Sequence, residues 1–202
     1  MEPPVPPPPP PPPPLPYDAE VEYLETDGSA WVDSGTSMTG ENSSFEWFAL
    51  IGYRNGATGR RFLIAYNWTR HYAELNANNK FGLVGAYVQT DIQPEVMYHV
   101  KLKVIRNDGN DRVIATVLKD GDEFQETETT SNQAGLVRLF RLDPVDTGIG
   151  QRIGRNKIVI DGVVVRDFLP VRKNGVGYMY DTVSKELFGN SGTGAFILGP
   201  DV

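Results

Sequence analysis

Residues 98–118 read YHVKLKVIRNDGNDRVIATVL, and this stretch decides the fold class. In its first half Val100, Leu102 and Val104 alternate with polar residues, which is the period of two typical of a half-buried strand. In its second half both alternating sets are largely apolar, as in a central strand that is buried on both faces. The Asn-Asp-Gly sequence between them supplies residues that tolerate the positive φ of a hairpin turn. The stretch therefore predicts two neighbouring antiparallel strands.

The same pattern continues through residues 17–202, where short β-rich runs are separated by turn residues. The Asp-Gly hairpin signal recurs at 119–122 and 160–163, and only residues 181–187 fit even one helical turn. We therefore predict one all-β domain, a two-sheet antiparallel sandwich or barrel. The predicted strands are 21–26, 30–33, 45–53, 62–66, 72–76, 81–88, 98–106, 112–118, 123–129, 137–142, 157–161, 163–170, 177–180 and a short last strand at 195–198.

Residues 1–16 form a separate, proline-rich segment that holds 12 of the 16 prolines of the chain. Consecutive prolines fix φ and remove backbone donors, so the segment is expected to adopt polyproline II. Three roles fit this prediction: a spacer that holds the domain off its mount, a docking peptide for an aromatic-lined groove, or a segment that joins the protein to a larger assembly.

Composition excludes several classes of function. The chain contains no cysteine, which excludes disulfide scaffolds, thiolate metal sites and cysteine nucleophiles. Its net charge of −7 argues against nucleic acid as a partner. No apolar run approaches the roughly 20 residues that span a bilayer, so we expect no membrane insertion. We also expect no secretory signal, because no basic segment followed by an apolar stretch opens the chain.

Both ends of the domain carry recognisable sequence. Residues 21–35 read VEYLETDGSAWVDSG, residues 161–170 read DGVVVRDFLP, and residues 187–196 read LFGNSGTGAF after GYMYD at 177–181. These stretches resemble the ends of concanavalin A-like, LamG-like jelly-roll domains of gut bacterial and phage proteins, with Met179 and Ser191 as small departures. The resemblance implies a two-sheet jelly roll and supplies no catalytic residues. Under this interpretation Asp181 and Asn190 are structural.

The carboxylates Glu20, Glu22 and Glu25 form the most tempting enzymatic pattern, because laminarinase-like glycosidases of this fold class carry a similar E-x-D-x-x-E signature. Retaining hydrolysis needs two carboxyl groups about 5–5.5 Å apart. On a regular strand Glu20 and Glu22 share a face whereas Glu25 points to the other side, and the middle aspartate of the signature is missing. We therefore predict a solvated edge strand, no catalytic residues and no enzyme.

Metal and cofactor sites are not indicated. The two histidines, His71 and His99, have no ligand pattern near them. Calcium remains an alternative, because hard oxygen ligands cluster in two turns, although turns use the same residues for backbone reasons. The residues concerned are Asn107, Asp108, Asn110 and Asp111 in one turn and Asp143 and Asp146 in the other.

The best binding candidate is the segment YNWTRHY at 66–72, where the tip of a predicted hairpin carries Trp68 and Arg70 between Tyr66 and Tyr72. Flat apolar rings beside hydrogen-bond donors are typical of glycan contacts. Arg61 and Tyr87 are predicted to lie at the same end of the domain. Two alternatives stay open, since these side chains also suit a sandwich core or a protein interface.

These features lead to a non-catalytic, lectin-like attachment module on a bacterial or phage surface, which contacts a glycan or another cell-surface polymer. The first alternative is a structural virion component, such as a capsid decoration or fibre domain, which is anchored by the proline-rich segment and for which a trimer is the expected homo-oligomer. A laminarinase-type glycoside hydrolase is the weakest hypothesis. The expected location is extracellular or on a virion.

Overall fold

A computed structural model describes residues 14–39, 44–57, 61–67, 71–83, 86–105, 111–119, 122–131, 135–141 and 149–202. Every regular element in these ranges is a β-strand, and every pairing between strands is antiparallel. The strands form two sheets, so the predicted all-β, antiparallel sandwich character is confirmed.

The described residues form seventeen strands. In chain order these are β1 (Ala19–Glu20), β2 (Leu24–Thr26), β3 (Val32–Met38), β4 (Ser44–Tyr53), β5 (Arg61–Asn67), β6 (His71–Leu75), β7 (Lys80–Leu83), β8 (Ala86–Asp91), β9 (Tyr98–Ile105), β10 (Asp111–Lys119), β11 (Asp122–Ser131), β12 (Gly135–Leu139), β13 (Gln151–Ile160), β14 (Val163–Lys173), β15 (Val176–Asp181), β16 (Glu186–Phe188) and β17 (Phe196–Leu198).

The large sheet has the strand order β11-β10-β9-β4-β13-β14-β15-β16. In addition, β1 pairs with β14, and β2 pairs with both β13 and β17. The small sheet has the order β3-β12-β5-β6-β7-β8. Strand β13 therefore lies in the middle of the large sheet, between β4 on one side and first β2, then β14, on the other.

The alternation of β4 shows how the two faces of the large sheet are divided. Phe45, Trp47 and Ile51 are fully buried in the core, where the Trp47 indole donates a hydrogen bond to Oδ1 of Asn156 (3.3 Å). Ala49 is buried on the same face, whereas the alternate positions Glu46, Phe48 and Leu50 are only partly buried. Since successive side chains of a strand point to opposite faces, Phe48 and Leu50 lie on the outer face of the sheet.

The strand pair predicted from residues 98–118 is confirmed. Val113 lies opposite Val104, and β10 also pairs along its other edge with β11. Val113, Ala115 and Thr116 are all buried, so β10 is covered on both faces as the sequence pattern predicted. The turn at 106–110 lies outside the described residues.

Two strand predictions were wrong in detail, and one further strand was not predicted. Residues 81–88 form two strands, β7 and β8, with Leu83 opposite Ala86. Residues 21–26 are not one strand, because the chain leaves β1 before it enters β2. Strand β16 was not predicted at all, and it follows a turn in which the Lys185 N–H donates to the Asp181 carbonyl (2.8 Å). Strands of two or three residues are too short to show the alternation of apolar and polar residues from which a strand is predicted.

The glycine-rich residues 189–194 pack against residues 27–31 near the start of the domain. Oδ1 of Asn190 accepts the backbone N–H of Trp31 (3.0 Å) and of Gly192 (2.7 Å), and its Nδ2 donates to the Gly194 carbonyl (2.6 Å). The Asp27 carboxylate accepts the N–H of Ala195 (3.0 Å). The two stretches that carry the family resemblance are thus neighbours in space, and Asn190 has the structural role expected for it.

Asp181 is a second structural residue, and its side chain is fully buried. Its carboxylate accepts the backbone N–H of Asp167 (2.8 Å), Val183 (3.1 Å) and Ser184 (3.1 Å), and lies 3.7 Å from Nη1 of Arg166. Burial acts to raise the pKa of Asp181, but these hydrogen bonds outweigh it and hold the pKa below its ordinary value of 3.8.

We predict that Asp181→Asn removes part of the acid sensitivity of the fold. A carboxyl group whose pKa is lowered by folding stabilises the protein above its unfolded pKa, and this contribution is lost as the pH falls through the folded value. The variant should be less stable by about 1–3 kcal/mol at pH 7, since an amide accepts these N–H groups more weakly. It should then lose less stability than the wild type between pH 5 and pH 3.

Urea unfolding followed by circular dichroism at both pH values measures the effect. Asp201→Asn is the matched control, because Asp201 is exposed and pairs only at the surface with Arg172. Equal acid sensitivity of wild type and Asp181→Asn would contradict the assignment.

No helix in the described ranges is long and apolar enough to cross a membrane.

Candidate binding groove on the outer face of the large sheet

The predicted hairpin at 62–76 is present as the pair β5–β6, in which Asn67 lies opposite His71. Its tip, with Trp68 and Arg70, lies outside the described residues, as does the side chain of Tyr66. Whether the tip contacts a glycan therefore stays a prediction.

The other predicted site residues do not line an open surface. Tyr72 is buried and packs edge-on against Phe62, with ring centroids 4.8 Å apart, in a small apolar cluster. Tyr87 is half-buried, and its hydroxyl donates to the Glu74 carboxylate. These two tyrosines occupy the packing role that the sequence left open as an alternative.

Arg61 is also buried rather than available at the surface. Its guanidinium donates to the carbonyl of Asn76 (3.0 Å) and to Oδ1 of Asn79 (2.6 Å), and lies 4.5 Å from the ring centroid of Tyr53. Burial lowers the pKa of Arg61 below its usual value. Arg61 thus fastens the turn between β6 and β7 to the core.

A groove that the sequence analysis missed lies on the outer face of the large sheet. It consists of two adjoining depressions that share Leu50 and Arg155. The larger, the acidic depression, has a volume of about 340 Å³ and is lined by Glu20, Val21, Glu22, Leu50, Met97, Arg155, Leu169, Pro170 and Val202. The smaller, the basic depression, has a volume of about 200 Å³ and is lined by Phe48, Ala49, Leu50, His99, Arg155, Asn156, Lys157 and Asp167.

A β-bulge in β13 shapes the groove. The pairing of β13 with β4 shifts register between Ile153 and Asn156. Such a bulge inserts a residue and re-aims the side chains around it, which explains why Arg155 is exposed between two buried neighbours, Gly154 and Asn156. Bulges of this kind are common beside functional sites.

Two glycines keep the floor of the groove low. A Cβ on Gly154 would lie 2.9 Å from the Glu22 carbonyl and 3.4 Å from Cε of Met97. A Cβ on Gly52 would lie 2.7 Å from Sδ of Met97. Because both positions lack a side chain, Met97 can lie flat across the sheet and form the apolar wall of the acidic depression.

Arg155 stands at the junction of the two depressions and is tied to Asp167 by two hydrogen bonds, from Nη2 (3.0 Å) and Nε (3.3 Å). Its bond to Asp167 raises the pKa of Arg155 above the usual value. Lys157 lies directly opposite both Phe48 and Asp167 in the strand register. The junction thus offers hydrogen-bond donors beside an apolar floor.

The three candidate carboxylates separate into two places. Glu20 and Glu22 both line the acidic depression, where the Tyr17 hydroxyl donates to Oε1 of Glu20 (2.9 Å). Burial, followed by the bond to Glu20, raises the pKa of Tyr17 to about 12. Glu25, by contrast, is buried and accepts a hydrogen bond from Nε of Arg152 (2.8 Å). The prediction of a solvated strand face was therefore wrong for Glu25.

No group of three or more His, Asp or Glu side chains within the described ranges is placed to hold a metal ion. Five of the residues proposed as calcium ligands lie outside these ranges, and the side chain of the sixth, Asp111, is not described, so the calcium alternative is not tested. His99 lines the basic depression, whereas the side chain of His71 is not described.

The signal for the groove was present in the sequence but was not distinctive. Phe48 and Leu50 stand at the outward positions of a strand whose inward positions are all apolar. An apolar residue on the exposed face is unremarkable by itself, because much of any protein surface is apolar. The bulge that brings Arg155 beside them has no sequence signature.

The chain matches no family model and no curated protein sequence.

Proposed function

We propose that the protein is a non-catalytic, lectin-like attachment module that binds an extended glycan in the groove on the outer face of the large sheet. The sandwich is a concanavalin A-like jelly roll in this proposal, as the resemblance of its two ends implies. The module works at a bacterial or phage surface, and the proline-rich residues 1–16 hold it away from its mount.

The observation that carries the proposal is the combination of floor and rim in the groove. Leu50, Leu169 and Pro170 provide an apolar floor, and charged side chains stand along both depressions. Sugar rings are amphipathic, with C–H faces that lie on apolar surface and hydroxyl groups that need polar partners. The depressions adjoin along the sheet, which suits a chain of linked sugars better than a compact ligand.

A binding role is favoured over hydrolysis because the three carboxylates do not converge. Glu25 is held between Arg152 and Arg54, whose Nη1 lies 3.5 Å from Oε1 of Glu25. Glu20 and Glu22 remain in the groove, where they contact a bound chain as acceptors in this proposal.

We predict that Arg155→Ala lowers glycan affinity about tenfold, because it removes the donor shared by both depressions. A glycan array followed by titration calorimetry on the sugars retained measures the change. Arg172→Ala is the matched control, since it breaks an equivalent surface pair with Asp201, whose 2.7 Å contact lies outside the groove.

Trp68→Ala, tested in parallel, separates the groove from the hairpin tip. A loss of binding in Trp68→Ala with none in Arg155→Ala would move the site to the tip. Shortened β-glucan products that disappear in Glu20→Gln and Glu22→Gln would overturn the non-catalytic assignment in favour of a hydrolase.

A further inference from the structure

The two depressions of the groove carry opposite charge. In the acidic depression the carboxylates Glu20 and Glu22 face only one lining cation, Arg155. Among the described residues, Asp167 is the only carboxylate that lines the basic depression, and Arg155 already engages it through both of its oxygens. Beside the shared donor Arg155, Lys157 and His99 are the further groups there that can donate to a ligand.

The charges at the two ends have little compensation from their neighbours. Among the residues that the structure describes, no acidic side chain lies within ion-pair distance of Lys157, and no basic one lies within that distance of Glu22. Lys101 and Lys103, on the adjacent strand β9, are instead both paired with Glu46, at 3.6 and 3.5 Å. These two lysines share one carboxylate, so a net positive charge remains on β9, where Lys101 Nζ lies 5.2 Å from the ring centroid of Phe48 in the basic depression. Lys157 and this charge together make that depression the positive end of the groove.

The spacing of the two ends follows from β13. The Glu22 carbonyl lies beside Gly154, and Lys157 is three positions further along the same strand. Because the bulge takes up one of these positions, Lys157 lies opposite Phe48, two residues from the Leu50 that lies beside Gly154. At about 3.3 Å per residue this separates the two ends by about 7 Å along the sheet, which is still longer than one monosaccharide unit. Opposite charges on a ligand would thus have to sit on different units of a chain.

We propose that the ligand of the groove is a zwitterionic glycan, with a carboxylate on one sugar unit and a free ammonium group on a nearby unit. This inference rests on the proposed function. The carboxylate lies against Lys157 and His99, and the ammonium group lies between Glu20 and Glu22. Leu50, shared by both depressions, supports the linkage between the two units.

Three tetrasaccharides of different charge test the inference by titration calorimetry: cellotetraose, which is neutral, a hyaluronan tetrasaccharide, which carries carboxylates, and its N-deacetylated form, which carries carboxylates and ammonium groups. The last two differ only in the N-acetyl groups, so their comparison isolates the ammonium contact. The N-deacetylated form should bind about tenfold more tightly than cellotetraose, with hyaluronan between them, since each exposed charge contact contributes up to about fivefold. The preference should largely vanish in 1 M NaCl.

Two charge-neutralising variants test which depression binds the ammonium group of the ligand and which binds its carboxylate. Glu22→Gln should weaken only the N-deacetylated form, whereas Lys157→Gln should weaken both carboxylate-bearing sugars and leave cellotetraose unchanged. Lys173→Gln, at the far end of β14, is the control and should change none of the three affinities. Equal affinity for all three sugars would overturn the zwitterion and leave the groove as a glycan site. Failure of all three sugars to bind would count against both proposals.

Discussion

Replacing Arg152 by methionine is expected to lower the free energy of unfolding by about 3 kcal/mol, at the lower end of the range for breaking a buried ion pair. Arg152 is 8% exposed and Glu25 is 1% exposed. The guanidinium donates to Glu25 from Nε and to Glu95 from Nη1, and it lies 4.4 Å from the ring centroid of Tyr23. Without it, the longer contact with Arg54 is the one ion pair that Glu25 keeps among the described residues.

The charge state of this cluster supports the same expectation. Burial acts to lower the pKa of Arg152, but its bonds to Glu25 and Glu95 outweigh burial and raise the pKa above the usual value. The Asn55 N–H (2.7 Å), followed by Arg152, lowers the pKa of Glu95. Glu95 is thus ionised at neutral pH, and the loss of Arg152 removes the main partner of this charge and of the buried Glu25 side chain.

Urea unfolding of four variants tests the prediction. Arg155→Met is the matched control on the same strand, because the Arg155 side chain is 60% exposed and its pair with Asp167 should contribute no more than about 1 kcal/mol. The double variant Glu25→Leu with Arg152→Met should be more stable than Arg152→Met alone, since no buried charge is then left unpaired. Glu25→Leu alone completes the double-mutant cycle. Arg152→Met and Arg155→Met with the same midpoint would contradict the assignment.

Arg152 and Arg155 illustrate a feature that could not be predicted from the sequence, namely which arginine of β13 is buried. The alternating runs at 45–53 and 98–106 predicted β4 and β9 almost to the residue, because their buried positions repeat every second residue. In β13 the repeat is interrupted by the bulge between Ile153 and Asn156. Two arginines three positions apart therefore have opposite environments, and residue type alone does not separate a buried ion pair from a groove side chain.

The candidate site was harder to predict than the fold for a related reason. The segment at 66–72 stood out because Tyr66, Trp68 and Tyr72 lie within seven residues of each other, yet Tyr72 packs in the interior. The groove, in contrast, collects Glu22, Leu50, Arg155 and Leu169 from segments that are far apart in the sequence. Only the register of β13 with its neighbours brings them together, and register cannot be read from one strand at a time.

Gly192→Ala is expected to cost about 3 kcal/mol of stability, a large effect for one added methyl group. A Cβ at this position would lie 1.9 Å from the Ser29 carbonyl oxygen and 2.7 Å from Cδ1 of Trp31. The closest atom belongs to the backbone, so no rotation of a side chain relieves the contact. The loop must shift instead, and Asn190 then loses its hydrogen bonds to Trp31 and Gly192.

Gly189→Ala is the matched control in the same loop, because a Cβ there meets only the Tyr178 ring, at 3.2 Å. A ring can give by a few tenths of an ångström, so we expect a change of less than about 1 kcal/mol. Thermal and urea unfolding of the two variants measure the difference, and equal stabilities would contradict the close approach of residues 29 and 192. If Gly192→Ala is much less stable than Gly189→Ala, the stability of the fold depends on the backbone contact between residues 29 and 192. The strand pair β2–β17, which joins the same two regions, should then be the first to loosen in Gly192→Ala, as faster amide hydrogen exchange at Glu25 and Ile197 would show.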